Sequence, residues 1–128
     1  MAEIHNPKVT PTLLSTTTVS FASNADTTLY TVPAGVRCVL HYAVVVANAD
    51  AGATTTISIG ANGTETDWLP VNTLSNLDAQ YDTVILMPVP NTTPTKTKSY
   101  AATTVIQAQV ANQSGGTGNT IYLFGHLY

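Results

Sequence analysis

The chain has few side chains able to perform acid–base or metal chemistry, and they are scattered. Its three histidines, His5, His41 and His126, lie far apart in the sequence. Their spacing matches no metal-ligand pattern, so only the fold could bring them together as a three-histidine metal site. Glu65-x-Asp67 offers two carboxylates, but the pair lies beside a turn, where acidic side chains commonly serve solubility. These residues therefore predict neither a metal site nor an acid–base pair.

Nucleophilic and phosphate-binding chemistry is also poorly represented. Cys38 is the single cysteine, and it stands in the apolar run from Val36 to Leu40, which predicts a buried thiol rather than a reactive one. No glycine-rich loop opens a helix, and serine, histidine and aspartate show no nucleophile-elbow spacing. We therefore predict that the protein is not an enzyme and has no catalytic residue, bound metal or cofactor.

Aromatic side chains offer one binding chemistry, the stacking of sugar rings. Trp68 with Tyr81, or Tyr100 with Tyr122, could form a platform of this kind. Six tyrosines against two phenylalanines favour rings with a polar tip, which suit protein interfaces as well as sugars. We prefer a place in the core or in a subunit interface. The alternative is a carbohydrate-binding module that uses Trp68 and loop tyrosines.

The elements that must position these residues are suggested by the composition. Of 128 residues, 9% are charged, against about 25% in ordinary soluble domains. Four Lys and Arg in a chain of net charge −3 argue against a nucleic-acid partner. The uncharged stretches are interrupted by Pro, Asn and Thr, and the N-terminus has no apolar secretory segment, so neither a membrane partner nor secretion is predicted. The 23 threonines, with many valines, favour strands over helices.

Alternating hydrophobicity between turn residues predicts about eight strands and no helix. This pattern is typical of an all-β antiparallel β-sandwich or jelly roll. Asn62-Gly63 predicts a two-residue hairpin, and 114–118 predicts a second hairpin before the last strand. Residues 1–13, which contain two prolines and no alternation, predict an extended arm ahead of a single domain over 14–128. The predicted strands are 15–21, 27–32, 36–48, 53–61, 64–69, 80–89, 100–111 and 119–128.

Three of these strands are apolar on both faces, namely 36–48, 80–89 and the C-terminal strand. Uncovered strands of this kind are a liability in a monomer, so we expect another element or another chain to cover one face. In 36–48, the later half of the face that carries Val45 and Ala47 is expected to be the covered one. The opposite face is expected in the core, and comprises Val36, Cys38, Leu40, Tyr42, Val44 and Val46. The predicted contacts with other chains are Ile4, Val9, Val45, Met87, Tyr122, Phe124 and Tyr128.

Two segments resemble a known group of proteins. Leu29-Tyr30-Thr31-Val32-Pro33-Ala34-Gly35-Val36-Arg37, followed by Val44-Val45-Val46-Ala47-Asn48, is similar to small β-sandwich proteins of tailed-bacteriophage virions. The resemblance covers residues 26–62 well and the C-terminal segment loosely.

The resemblance implies a non-enzymatic structural protein, located in the virion after assembly in the host cytoplasm. Together with the strands that are apolar on both faces, the low charge and the arm, it leads us to expect a capsid cement or decoration protein. It further implies a homo-oligomer, which we expect to be a trimer, that contacts the major capsid protein or another virion protein. A phage neck, tail or fibre component is the alternative within the same group.

Overall fold

Nine β-strands make up the regular structure of the residues that the structure describes, one more than the sequence predicts. The computed structural model describes residues 11–89, 97–116 and 118–128. No helix that could cross a membrane is found in these ranges. The predicted arm therefore lies largely outside the described residues, although Thr12 and Leu13 already belong to the first strand. The strands are β1 (Thr12–Val19), β2 (Ala25–Thr31), β3 (Cys38–Val46), β4 (Thr56–Ala61), β5 (Thr64–Thr73), β6 (Thr83–Leu86), β7 (Ser99–Tyr100), β8 (Val105–Ala111) and β9 (Asn119–Leu127).

The strands form two antiparallel sheets, which confirms the predicted β-sandwich. The first sheet has the order β1-β9-β3-β6, with the short β7 also paired to β3, and the second has the order β2-β8-β4-β5. Successive strands mostly alternate between the sheets, which is the jelly-roll arrangement. The predicted hairpin at 114–118 is wrong, because β8 pairs in the second sheet and β9 in the first. The segment crosses between layers instead of turning within one.

The core lies between the two sheets and consists of the inward-facing side chain at every second position. Leu74 and Leu77, in the loop after β5, are buried and belong to the same core. The β-branched residues of the strands suit this arrangement because they are rigid at χ1 and pack well on a pleated surface. The largest fully buried side chains of the core include Phe21, Leu40, Ile57, Ile59, Leu69, Ile106, Ile121 and Leu123.

A β-bulge at His41 changes which face of β3 points inward. Leu40 pairs with Gly125 and Tyr42 with Phe124, so His41 is an extra residue in the ladder between β3 and β9. Before the bulge the residues that belong to the core are Cys38 and Leu40, and after it they are Ala43 and Val45. The prediction that Tyr42, Val44 and Val46 lie in the core is therefore wrong. Val45, predicted to contact another chain, has no exposed surface.

The hairpin between β4 and β5 forms as predicted, with Asn62-Gly63 as its two-residue turn. Ala61 pairs with Thr64, and Gly63 has φ of +91°, which a residue with a side chain rarely adopts. The next pair is Ile59 with Leu69, so β5 contains a long irregularity over 65–68. Gly60 allows this irregularity to lie close, because a Cβ atom there would lie 2.5 Å from the Asp67 Oδ1 atom.

Cys38 provides a simple test of the core. Its side chain has no exposed surface, and burial raises the pKa of the thiol to about 11. Because the thiolate is the reactive form, we expect a thiol reagent such as DTNB at pH 8 to modify native Cys38 at least ~100-fold more slowly than Cys38 in denaturant. Comparison of the two labelling rates checks this prediction, and equally fast labelling would show that the thiol is accessible.

Candidate interaction face

The outer face of the first sheet carries an ordered set of apolar and aromatic side chains. Cross-strand partners share a face of a sheet, and successive residues of a strand alternate between faces. Because Ala43, Val45, Ile121 and Leu123 point into the core, their neighbours point outward. The pairing then places three rows across the sheet: Thr18–Thr120–Val46–Thr83, Thr16–Tyr122–Val44–Ile85 and Leu13–Phe124–Tyr42. We call these eleven residues the aromatic face.

The aromatic face carries no formal charge. The strands that build it, β1, β9, β3 and β6, contain no Asp, Glu, Lys or Arg. The shortage of charged residues in the chain is therefore most marked on this one surface. Ile85 is 63% exposed and Leu13 is 47% exposed, while Tyr42 and Phe124 shield each other by stacking, with ring centroids 4.7 Å apart.

The size of the aromatic face is that of a contact surface. Four strands ~4.8 Å apart and about six residues of ~3.4 Å rise give roughly 20 Å by 20 Å, or about 400 Å². The largest apolar patch on an ordinary monomer covers ~300–600 Å² and often has a function. A standard protein interface takes ~800 Å² from each partner, so the aromatic face is large enough to form the apolar centre of one.

The outer face of the second sheet differs in chemistry. There Ile59, Ala108 and Val110 point into the core, so Gln107 and Gln109 lie on the opposite side of the sheet. Ser58 lies on that side too, but its side chain is buried. Asp26 pairs with Gln109 at the neighbouring strand β2. This polar outer face is what an exposed antiparallel sheet normally shows, which makes the aromatic face the unusual one.

A pair of histidines lies at the end of the aromatic face. His126 follows Phe124 on the outward side of β9, and its Nδ1 atom lies 2.6 Å from Nε2 of His41, the extra residue of the bulge. The two rings are tilted by 59° with centroids 4.8 Å apart. Burial, followed by the proximity of His126, lowers the pKa of His41. Sequence spacing gave no sign of this contact, because the bulge that creates it leaves no pattern in the sequence.

The structure brings together two of the three histidines considered for a metal site. His5 lies outside the described residues. No group of three or more His, Cys, Asp or Glu side chains positioned for a metal ion is present in the rest of the chain that the structure describes.

The seven predicted contact residues divide into four groups. Tyr122 and Phe124 belong to the aromatic face. Met87 and Tyr128 lie next to it and are 51% and 44% exposed, Met87 just after β6 and Tyr128 just after β9. Val45 is in the core, and Ile4 and Val9 lie outside the described residues. The prediction missed the other nine members of the aromatic face, of which five are apolar or aromatic: Leu13, Tyr42, Val44, Val46 and Ile85. The alternation of Ile85 with Leu86 was the available signal for one of them.

The residues proposed for sugar stacking are separated by burial. Trp68 is 5% exposed and belongs to the core, and Tyr100 is 3% exposed. Tyr81, in contrast, is 75% exposed. Because a sugar platform needs accessible ring faces, neither suggested pair provides one.

The two carboxylates at 65 and 67 serve the fold. Glu65 accepts a hydrogen bond from the Gly63 N–H at 2.9 Å. Asp67 accepts hydrogen bonds from the Tyr100 hydroxyl at 2.5 Å and the Ala61 N–H at 3.1 Å. Its second oxygen accepts from the Thr64 hydroxyl and lies 3.4 Å from the Lys98 ammonium. The pair therefore stabilises the irregular part of β5, and solubility is not its main role.

Comparison with known proteins identifies the fold. The sequence matches no protein-family profile and no curated protein. One similar solved structure is a chain of the acidic stable capsid of Helicobacter pylori bacteriophage KHP30, with a TM-score of 0.60, 18% sequence identity, and coverage of 91% of this chain and 86% of that chain. A second is a chain of the capsid asymmetric unit of cyanophage Pam1, with a TM-score of 0.56, 14% identity, and coverage of 98% of this chain and 91% of that chain.

The protein is therefore an all-β jelly-roll sandwich, and its fold is one that phage capsids contain. The resemblance carried by Leu29–Arg37 is confirmed at the level of the fold.

Proposed function

We propose that this protein is a non-enzymatic structural component of a phage virion, and that it acts as a capsid cement protein. The observation that carries the proposal is the charge-free aromatic face on a sandwich whose fold occurs in two phage capsids. In this role the protein binds neighbouring subunits across its aromatic face and bridges capsomers. It forms a homotrimer and contacts the major capsid protein.

The aromatic face supports this role energetically. Burying about 400 Å² on each of two partners contributes at most ~20 kcal/mol at ~25 cal/mol per Å². Association costs of roughly 4–15 kcal/mol reduce that gain, so one contact of this size is moderate in strength. Many such contacts on a closed shell reinforce one another, because each bound copy raises the effective concentration of the next.

The occupant that suits the aromatic face best is a second copy of this chain. An uncharged surface binds another uncharged surface without burying an unpaired charge. In a trimer the neighbouring copy supplies that surface from a different part of the same chain, because pairing of two aromatic faces with each other would close a dimer. Tyrosine and threonine also supply hydroxyl groups that can donate or accept across such a contact.

A lysine at position 85 tests the role of the aromatic face. Ile85 is largely exposed, so we expect Ile85→Lys to leave the melting temperature within about 2 °C of the wild-type value. The same change buries an unpaired ammonium in the contact, so we expect it to raise the dissociation constant of the oligomer at least ~100-fold. Light scattering after size-exclusion chromatography measures the oligomer across a dilution series.

Val71→Lys is the matched control for that experiment. Val71 is 60% exposed and also lies on a strand, but on β5 of the second sheet. The Val71→Lys protein should have the same oligomeric state and dissociation constant as the wild type. A wild-type monomer at all concentrations, or equal loss of assembly in both variants, would contradict the proposed role of the face.

Copy number per particle distinguishes a shell protein from a neck or tail component. Quantitative mass spectrometry of purified virions should detect this chain at a copy number comparable with that of the major capsid protein. About a dozen copies or fewer would instead indicate a neck, tail or fibre component, and absence from the particle would reject a virion role.

A further inference from the structure

A pair of histidine side chains, His41 and His126, lies at one end of the aromatic face. The 2.6 Å contact between His41 Nε2 and His126 Nδ1 requires that one ring donates a hydrogen bond and the other accepts it. Both side chains are partly buried, and His126 occupies the row beyond Phe124. A protein that docks on the aromatic face therefore approaches this pair as well.

In the part of the chain that the structure describes, the strands around the pair contain no carboxylate side chain that could stabilise a positive charge. None of β1, β3, β6, β7 and β9 contains Asp or Glu. Tyr128 places its ring 5.8 Å from that of His126, and its phenol shares a hydrogen bond with Ser99. Arg37 donates to the same Ser99 and, through its main chain, to the carboxyl end of Tyr128. Tyr42 stacks on Phe124, and Tyr100 of β7 is buried against Asp67.

The charge state of the pair determines whether the contact between the two rings is a hydrogen bond or a repulsion. The neutral pair and the singly protonated pair each have a donor facing an acceptor. When both rings are protonated, two donors and two positive charges meet at 2.6 Å, and the contact becomes repulsive. Covering the pair with an uncharged partner surface removes water from it and disfavours every protonated form further. Association on the aromatic face must therefore release protons.

We infer that the His41–His126 pair makes assembly through the aromatic face dependent on pH, strong when the pair is neutral and weakened as it becomes protonated. This inference rests on the proposed function, because it concerns the same face. It adds a regulatory property that an apolar contact by itself lacks. In mildly acidic solution the protein should exchange its subunits readily, and at neutral pH it should hold them.

The stability of the single subunit should change with pH in the same direction. The pKa of His41 is lowered in the folded chain by burial and then by His126, whereas an unfolded histidine titrates near 6.5. Between the two values the unfolded chain binds more protons, so the free energy of unfolding falls as the pH falls below about 6.5. This property belongs to the subunit and does not depend on assembly.

The test uses substitutions that keep an amide near the atoms in contact but remove the titration. Glutamine places a polar atom near the histidine Nε2 position, and asparagine places one near Nδ1, so the variants are His41→Gln, His126→Asn and the double variant. For the wild type we expect the dissociation constant of the oligomer to rise at least ~10-fold between pH 7.5 and 5.0. Release of one proton on association changes the dissociation constant by about 10-fold for each pH unit below the pKa of the group that releases it. For the double variant we expect a change of less than ~2-fold.

His5→Gln is the control, since it removes the third histidine and should leave the pH dependence intact. Nitrogen-detected NMR of the imidazole rings supplies a readout that does not depend on assembly, and should show a lowered pKa for His41 that rises when His126 is replaced by Asn. Equal wild-type affinity at the two pH values, or full pH dependence in the double variant, would overturn the inference while leaving the proposed function in place. A wild type that is monomeric at pH 7.5 would overturn the proposed function, and the NMR titration and the pH dependence of unfolding would still decide whether the pair is coupled.

Discussion

Replacing Trp68 with alanine should destabilise the domain by about 3–5 kcal/mol, the usual cost of deleting a buried large aromatic side chain. Trp68 is 5% exposed and packs in the core between the sheets. Because domains of this size are stable by only ~5–15 kcal/mol, the variant should lose a large part of its stability. Urea denaturation followed by circular dichroism measures the change, since the substitution removes the tryptophan fluorescence.

Tyr81→Ala is the matched control for Trp68→Ala. Tyr81 is also aromatic but is 75% exposed, so its removal should change the free energy of unfolding by no more than about 0.5 kcal/mol. A Trp68→Ala protein as stable as the wild type would show that the indole ring is not part of the core. In that case the carbohydrate-binding alternative would regain its main candidate residue.

Asp67→Ala should be the second strongly destabilising change, with an expected cost of about 2–4 kcal/mol. The substitution leaves the hydroxyl of Tyr100, a residue that is 3% exposed, without its acceptor. It also removes the acceptor of the Ala61 N–H, which the irregular part of β5 leaves outside the ladder. Burial and the hydrogen bond to Asp67 raise the pKa of Tyr100, so its phenol remains a donor throughout the ordinary pH range.

A double-mutant cycle with Tyr100→Phe tests this contact directly. If the hydroxyl–carboxylate bond carries much of the cost, Asp67→Ala should be less damaging in the Tyr100→Phe background. Asp26→Ala, at an exposed position of β2, is the control and should be nearly neutral. Additive effects of the two changes at 67 and 100 would show that the bond contributes little and that the cost lies elsewhere.

Local signals in the sequence were sufficient to predict most of the strands and the Asn62-Gly63 turn. Alternation with period two follows from the geometry of a strand, and a two-residue turn with positive φ favours glycine. Leu74 and Leu77 were also predictable, because two leucines in a polar loop need a place to be buried. The resemblance around Leu29–Arg37 predicted the class of fold.

Features set by long-range contacts were beyond sequence reasoning. The residues 114–118 look like a hairpin, yet they join strands of different sheets, since Ala111 pairs with Thr56 and Asn119 with Val19. Tyr100 and Asp67 are 33 positions apart, and nothing local relates them. The aromatic face was predicted only at Tyr122 and Phe124, in part because alternation read through His41 assigns the wrong side of β3 to the core.

The bulge has one more consequence, which concerns how the chain tolerates insertion and deletion. If His41 were removed, Cys38, Leu40, Ala43 and Val45 would still point inward, and Val39, Tyr42 and Val44 would still point outward, in unbroken alternation. The sandwich thus has no need of this residue, and a one-residue deletion here should fold with both of its faces preserved. His41 is in this sense a structural insertion, and what it adds to the fold is the partner of His126.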